Sequence, residues 1–150
     1  MPTIPELDVP IRASILADSS ITSLLPAYKN SYPIFTRRPV PTDAPFPHIV
    51  IFSETDISHD DGVDDQRLTV IKEVTVYGSA HSPPEQWRII DEIGRRIALR
   101  FHRQVHNLIV DNWKVVNITV GSRGFPPHDI LAQAVGAVVV LSIDLAARNT

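Results

Sequence analysis

Apolar residues recur at every second position in several stretches of the chain, and close to every 3.6 positions in one. The longest alternating stretch runs from Ile130 to about Leu145. There Leu131, Val135, Ala137, Val139, Leu141, Ile143 and Leu145 share a face, which predicts a long final strand. Arg67 to Gly78 predicts another, with Leu68, Val70, Val74 and Val76 on one side and Thr69, Glu73 and Thr75 on the other. Lys72 interrupts its apolar side and is expected at a sheet edge or an exposed end. His48 to Glu54 reads as a strand that is apolar on both faces, Ile49 and Ile51 against Val50 and Phe52. Trp113 to Val120 supplies a fourth, with Val116, Ile118 and Val120 together, after a short extended piece at Asn107 to Val110 and a turn at Asp111-Asn112.

The helical period belongs to Trp87, Ile90, Gly94, Ile97, Ala98 and Phe101, which cover about a third of a helix circumference. Ser82 is placed to cap this helix, Pro83-Pro84 to begin it and Glu85 to suit the positive end of its dipole. Arg88, Arg95, Arg96 and Arg100 lie off the apolar stripe, and Gly94 is expected where helix and sheet approach most closely.

Proline punctuates the rest. Nine of the 13 prolines lie at or before Pro47, where each removes a backbone donor and fixes φ. Asp8 is expected to cap a short helix to about Ala17, with Ile11 and Ile15 as its apolar edge. A second turn covers Ile21 to Leu25, and Asn30 to Pro47 reads as an extended arm with a short strand at Tyr32 to Thr36. The chain is thus expected to form one α+β domain over residues 1–150. Residues 1–47 supply a proline-rich helix and arm, and residues 48–145 the core. That core is a mostly antiparallel sheet of about four strands, with the long amphipathic helix and the short N-terminal helix packed on one side.

A chain of 150 residues can bury a core of its own. Its net charge of −3 argues against a general nucleic-acid binder, which would carry a basic excess. Without cysteine, disulfide frameworks and thiolate metal sites are excluded. Met1 to Pro10 lacks the basic and apolar regions of a signal peptide. The apolar run at Val135 to Leu141 is far short of a membrane span. Folding in the cytoplasm, with no membrane partner, is the expectation.

Candidate chemistry fails at named points. Asp56, Asp60, Asp61, Asp64 and Asp65, with His59, fall in the stretch Thr55 to Gln66, which resembles a calcium loop only in charge. Gly62 follows two adjacent aspartates and no glutamate closes the loop. It reads as a solvated acidic loop with an electrostatic role, repelling DNA or meeting a basic partner. His102 and His106 have the four-residue spacing of paired ligands but no glutamate between them, and histidine near a helix C-terminus is favoured by the dipole alone. No serine lies in a nucleophile-elbow pattern. Gly121-Ser122-Arg123-Gly124 runs into Phe125-Pro126-Pro127 instead of a helix, so it reads as part of a hairpin loop, Gly121 to Asp129, and not as a phosphate cradle. This loop, with Arg123, Phe125 and His128, is a second candidate interface. Asn117-Ile118-Thr119 matches a glycosylation acceptor that has no use without a secretory signal. Trp87 and Phe101 belong to the core. No catalytic, metal or cofactor site is expected.

Three sequence features then fall in a recognisable order. Ile11-Arg-Ala-Ser-Ile-Leu-Ala-Asp-Ser is followed by Ile21-Thr-Ser-Leu-Leu. Phe46-Pro-His-Ile-Val-Ile leads into the first core strand. The strand Leu68 to Tyr77, the arginine-bearing helix and a closing strand complete the order. Over most of its length the chain resembles the tail completion, or tail terminator, proteins of long-tailed phages and prophages. The resemblance implies an α+β subunit of a ring, commonly of six copies. Such a ring caps the tail tube at its head-proximal end, stops polymerisation and meets the neck, while DNA passes through the channel. It implies no catalytic residue. The proline-rich arm and the acidic stretch are longer than the family pattern. A neck or connector protein is the near alternative. A small α+β enzyme or ligand-binding domain, with a pocket between helix and sheet, is the distant one. A generic adaptor that pairs through a sheet edge is a third.

Overall fold

The computed structural model describes residues 5–37, 39–52, 57–60, 67–79, 84–124 and 134–148. Its elements, in order, are α1 (Asp8–Leu16), α2 (Ser19–Thr22), β1 (Ile34–Phe35), β2 (His48–Phe52), β3 (Ile57–Asp60), β4 (Arg67–Ser79), α3 (Pro84–Phe101), a 3-10 turn (Val105–Asn107), β5 (Trp113–Gly124) and β6 (Ala134–Ala147). The sheet has the order β1-β2-β4-β6-β5, and β3 also pairs with β4. β2 and β3 lie end to end along one edge of β4, facing Tyr77 to Glu73 and Val70 to Arg67 respectively. Every pairing is antiparallel except β1 with β2. The fold is α+β with helices on one face, as expected. The sheet is larger than the four strands anticipated, because a two-residue parallel strand and β3 join it.

The core lies between the helices and one side of the sheet. β4 and β6 pair from Arg67↔Ala146 to Ser79↔Ala134 without a register break. Leu68, Val70, Val74 and Val76 of β4 therefore share a face with Ala137, Val139, Leu141, Ile143 and Leu145 of β6, and all are buried. Onto them α3 lays Ile90, Ile93, Ile97 and Phe101, and α1 adds Ile11 and Ile15. Each such aliphatic or aromatic side chain contributes about 1.5–3 kcal/mol by leaving water. Gly94 sits at the close approach: a methyl there would meet Ala137 Cβ at 3.7 Å and Val139 Cγ2 at 3.8 Å, ordinary contact with no room beyond it. Trp87, expected in the core, is 37% exposed, and the buried stripe is turned toward Ile93 on its other flank.

Several local expectations are corrected. Asp8 is inside α1 and not its cap; the first-turn N–H of Val9 donates to Glu6 Oε1 at 3.1 Å instead. Asp8 is engaged by Lys72, whose ammonium lies 2.9 Å from Oδ1 with its side chain 8% exposed. Oδ1 accepts no directed hydrogen bond, so the attraction is electrostatic. Lys72 thus stands in a central strand beneath α1, neither at an edge nor at an exposed end. A buried cation needs an opposite charge, and the N-terminal helix supplies it. The short strand foreseen over Tyr32 to Thr36 is only Ile34–Phe35. α2 is capped by Asp18, which accepts from the Ser20 N–H at 2.9 Å.

β5 departs most from its pattern. Bulges between Val115 and Asn117 and between Val120 and Ser122 shift its register. A bulge places two residues against one and turns side chains to the other face. Val115 and Ile118 are buried, and Val116, expected beside Ile118, is 41% exposed. The strand continues to Gly124, with Ser122, Arg123 and Gly124 paired to Val140, Val139 and Val138. The segment Gly121–Gly124 is therefore ladder and not loop.

Candidate interaction surfaces

At both ends of the strand order, individual backbone groups are bonded by other parts of the chain. At β1, Ile34 has its backbone groups on the side away from β2, because Ile49 N–H reaches the carbonyl of Pro33. The Ile34 carbonyl accepts from Arg12 Nε at 2.9 Å, and its N–H donates to the Tyr32 carbonyl at 2.8 Å. At β5, the Ile118 carbonyl accepts from the Arg103 N–H at 2.7 Å, and the Val120 N–H donates to His102 Nδ1 at 3.1 Å. Arg103 follows the end of α3 at φ 56°, the left-handed conformation that ends many helices. His102 therefore works as an edge cap, a role that its spacing from His106 did not reveal. Among the described residues no cluster of three metal-ligating side chains occurs. An unpaired edge invites strand addition, and at Ile34, Ile118 and Val120 the groups named are already bonded.

The sheet face away from the helices carries no second layer among the described residues. Its β4 and β6 positions, Thr69, Ile71, Glu73, Val138, Val140 and Asp144, are half-buried. Thr69 Oγ1 donates to Asp144 Oδ1 at 2.7 Å across the strands. At one side of this face an aromatic group closes over Val50, which is 1% exposed. His48 stacks on Phe46 with ring centres 4.9 Å apart and meets Phe35 and Tyr77 at 5.8 and 5.6 Å. Tyr28 lies edge-on to Phe35 and donates its hydroxyl to Asp43 Oδ1 at 2.9 Å, tying the arm together. The His48 ring donates from Nδ1 to the Pro45 carbonyl at 3.0 Å. Burial lowers its pKa from the ordinary value, against an opposing pull from that carbonyl.

Away from its apolar stripe α3 mixes the arginines Arg88, Arg95, Arg96 and Arg100 with the acids Glu85, Asp91 and Glu92. Glu92 takes hydrogen bonds from both Arg95 and Arg96, which hold its carboxyl down to about 2. Arg96 also donates to the Ser20 carbonyl, and Arg100 Nε reaches Ser14 Oγ at 3.2 Å, so these two fasten α1 and α2 to α3. A groove of about 280 Å³ lies between α2 and the end of α3, with Arg96, Leu99, Arg100 and Asn107 on one wall and Asp18 and Ser20 on the other. Leu99 is 61% exposed at this surface.

The sequence-derived candidate residues are only partly placed. Asp60 ends β3 with its backbone opposite Arg67, so a strand occupies part of what reads as one acidic loop. The Asp60 side chain, and Asp56, Asp61, Asp64 and Asp65 altogether, lie outside the described residues. Arg123 is placed by its backbone in β5, while Phe125 and His128 lie outside the described residues, as does the expected cap Ser82.

Among the described residues these features define a two-layer α+β fold, with helices on one face of the sheet and an arginine-bearing helix. The same fold is found in a solved structure of the virion of a native gene transfer agent particle. One of its chains matches with a TM-score of 0.74 at 9% identity, over 94% of this chain and 95% of that one. At such an identity the likeness establishes the fold. No family model matches the sequence, and no curated protein does.

Proposed function

We propose that this protein is a structural subunit of a phage-like particle. In this reading it is a single domain that assembles into a ring, commonly of six copies, at the head-proximal end of the tail. The ring ends growth of the tail tube and joins it to the neck. The observation that carries the reading is the end-to-end likeness to a chain of a gene transfer agent virion. The order of sequence elements points the same way independently. The bonded edge groups at Ile34, Ile118 and Val120 suit a subunit that meets neighbours through surfaces and not through shared strands. The reading requires no catalysis and no cofactor. Its partners are copies of itself, the tube protein and a neck or connector protein, with DNA as passing cargo. Asp56, Asp60, Asp61, Asp64 and Asp65 face the channel or a neighbour, and Arg123 at the end of β5, with Phe125 and His128 beyond it, forms the second contact.

The likeness is to a particle and not to a position within it, so a neck or connector subunit fits the same observation. Light scattering and electron microscopy of the purified chain, alone and with polymerising tube protein, separate the cases. Closed rings that bind tube ends and limit tube length are expected. Rings that ignore the tube and bind the portal side would favour the connector. A compact monomer that associates with neither would refute both.

A further inference from the structure

We propose that His102 is a proton-operated latch between the end of α3 and the edge of β5, closed when its imidazole is neutral and open when it is protonated. Two hydrogen bonds join these elements. The Arg103 N–H donates to the Ile118 carbonyl at 2.7 Å, and the Val120 N–H donates to His102 Nδ1 at 3.1 Å. The first lies between two peptide groups, which do not titrate. The second needs a lone pair on Nδ1. A backbone N–H only donates, so the ring accepts and carries its own proton on Nε2. A protonated imidazole holds a hydrogen on each nitrogen and has no acceptor left. Two donors then face each other, and the Val120 N–H loses its partner.

The place of the contact gives it consequence. α3 ends at Phe101, which is fully buried, and Arg103 turns the chain at φ 56°. His102, between the anchor and the turn, is held beside the strand while the residue stays exposed. It is therefore open to protons without any unfolding, whereas His48 is buried among aromatic rings. On β5 the register breaks between Val120 and Ser122. Val120 is thus the last regular rung before a bulge, where the ladder is locally disrupted. Opening the latch frees a donor at that rung and leaves the bond at Ile118 in place.

Charged groups around the ring come from few elements. On its own helix and on the same side are Arg95, two turns before it, and Asp91, three turns before it; Arg103 and His106 follow it. On β5 the nearest rungs, Ile118 to Gly121, carry no charge, and the charged residues are Lys114 and Arg123. β6 carries Asp144, which bonds Thr69 on the other face of the sheet, and β4 lies beyond β6. His102 makes no ion pair among the described residues. The Val120 bond is accordingly what protonation breaks.

Amide hydrogen exchange of the full-length chain, read by NMR at about pH 5 and about pH 8, tests the latch, because imidazoles titrate in that window. Protection of the Val120 amide is compared with that of Arg103, whose bond has no titrating partner. In the parent, Val120 is expected to lose about two- to tenfold in protection in acid, while Arg103 keeps its own. His102→Gln offers a carboxamide oxygen that accepts at either pH, and is expected to abolish the difference. His102→Lys offers a cation with no acceptor, and is expected to leave Val120 as weakly protected at the higher pH as the parent is at the lower. Equal protection of Val120 at both pH values in the parent overturns the proposal. So does an acid loss that persists in His102→Gln, which assigns it to another group, or one shared equally by Arg103, which marks general loosening of the fold.

Discussion

On β4, the side toward the helices presents Leu68, Val70, Val74 and Val76, none more than 2% exposed. The opposite side presents Thr69, Ile71, Glu73 and Tyr77, all partly exposed, and Thr75, which is buried beside Val50. The same thirteen residues thus serve two purposes, because side chains in a strand alternate between faces. One face is a packed interior, where lost volume is felt directly. The other mixes valine and isoleucine with hydroxyls and carboxylates, which keeps it compatible with water where the described residues leave it partly exposed. The difference shows where the described part of the molecule commits its stability.

That contrast can be broken most sharply from the packed side. Phe101→Ala is expected to cost about 3–5 kcal/mol of unfolding free energy, read from urea denaturation, because the side chain is fully buried between α3 and the sheet. Lys72→Met comes next. It strands the Asp8 carboxylate under α1 and should cost of order 3 kcal/mol, and Asp8→Leu added to Lys72→Met should recover most of that loss. The double variant costing as much as the single would show that the pair itself stabilises the fold.

A smaller effect is expected at the aromatic group. Burial lowers the His48 pKa below the ordinary 6.5. Above that value the ring is neutral in folded and unfolded chains, and its contribution is complete. As the pH falls below it, unfolded chains take up the proton first, so stability declines toward the lowered folded value. Thermal melts at about pH 7.5 and about pH 5.5 should therefore differ less for His48→Gln than for the parent. The smallest effect belongs to the bare face. Val140→Thr should change stability by less than about 0.5 kcal/mol, while a loss of ring formation on that substitution would show that this face contributes to assembly. A large loss of stability there would mean the two faces are less different than their burial indicates.

The sequence made some of this visible and hid the rest for physical reasons. The α3 stripe and the β6 alternation were plain, since burial of one face leaves a periodic trace over many residues. Lys72 misled because its partner, Asp8, is remote in sequence, and a lone cation in an apolar run looks like an edge. The bulges in β5 leave no compositional mark, so Val116 was assigned to the wrong face. Ile57–Asp60 pairs through its backbone although its residues lack strand composition, and nothing local announces it. Of the candidate surfaces, the arginines of α3 and the aspartates of the acidic stretch could be read directly. The edge-capping roles of Arg12 and His102 could not, because a cap is defined by a backbone group that only the folded sheet brings within reach.

Those caps bear on how the protein behaves at high concentration, where lateral growth of a sheet leads to fibres. Arg12 on the Ile34 carbonyl and His102 on the Val120 N–H occupy the positions where a foreign strand would begin to pair. A strand arriving at either position would first have to displace a bond already made, which disfavours lateral growth there.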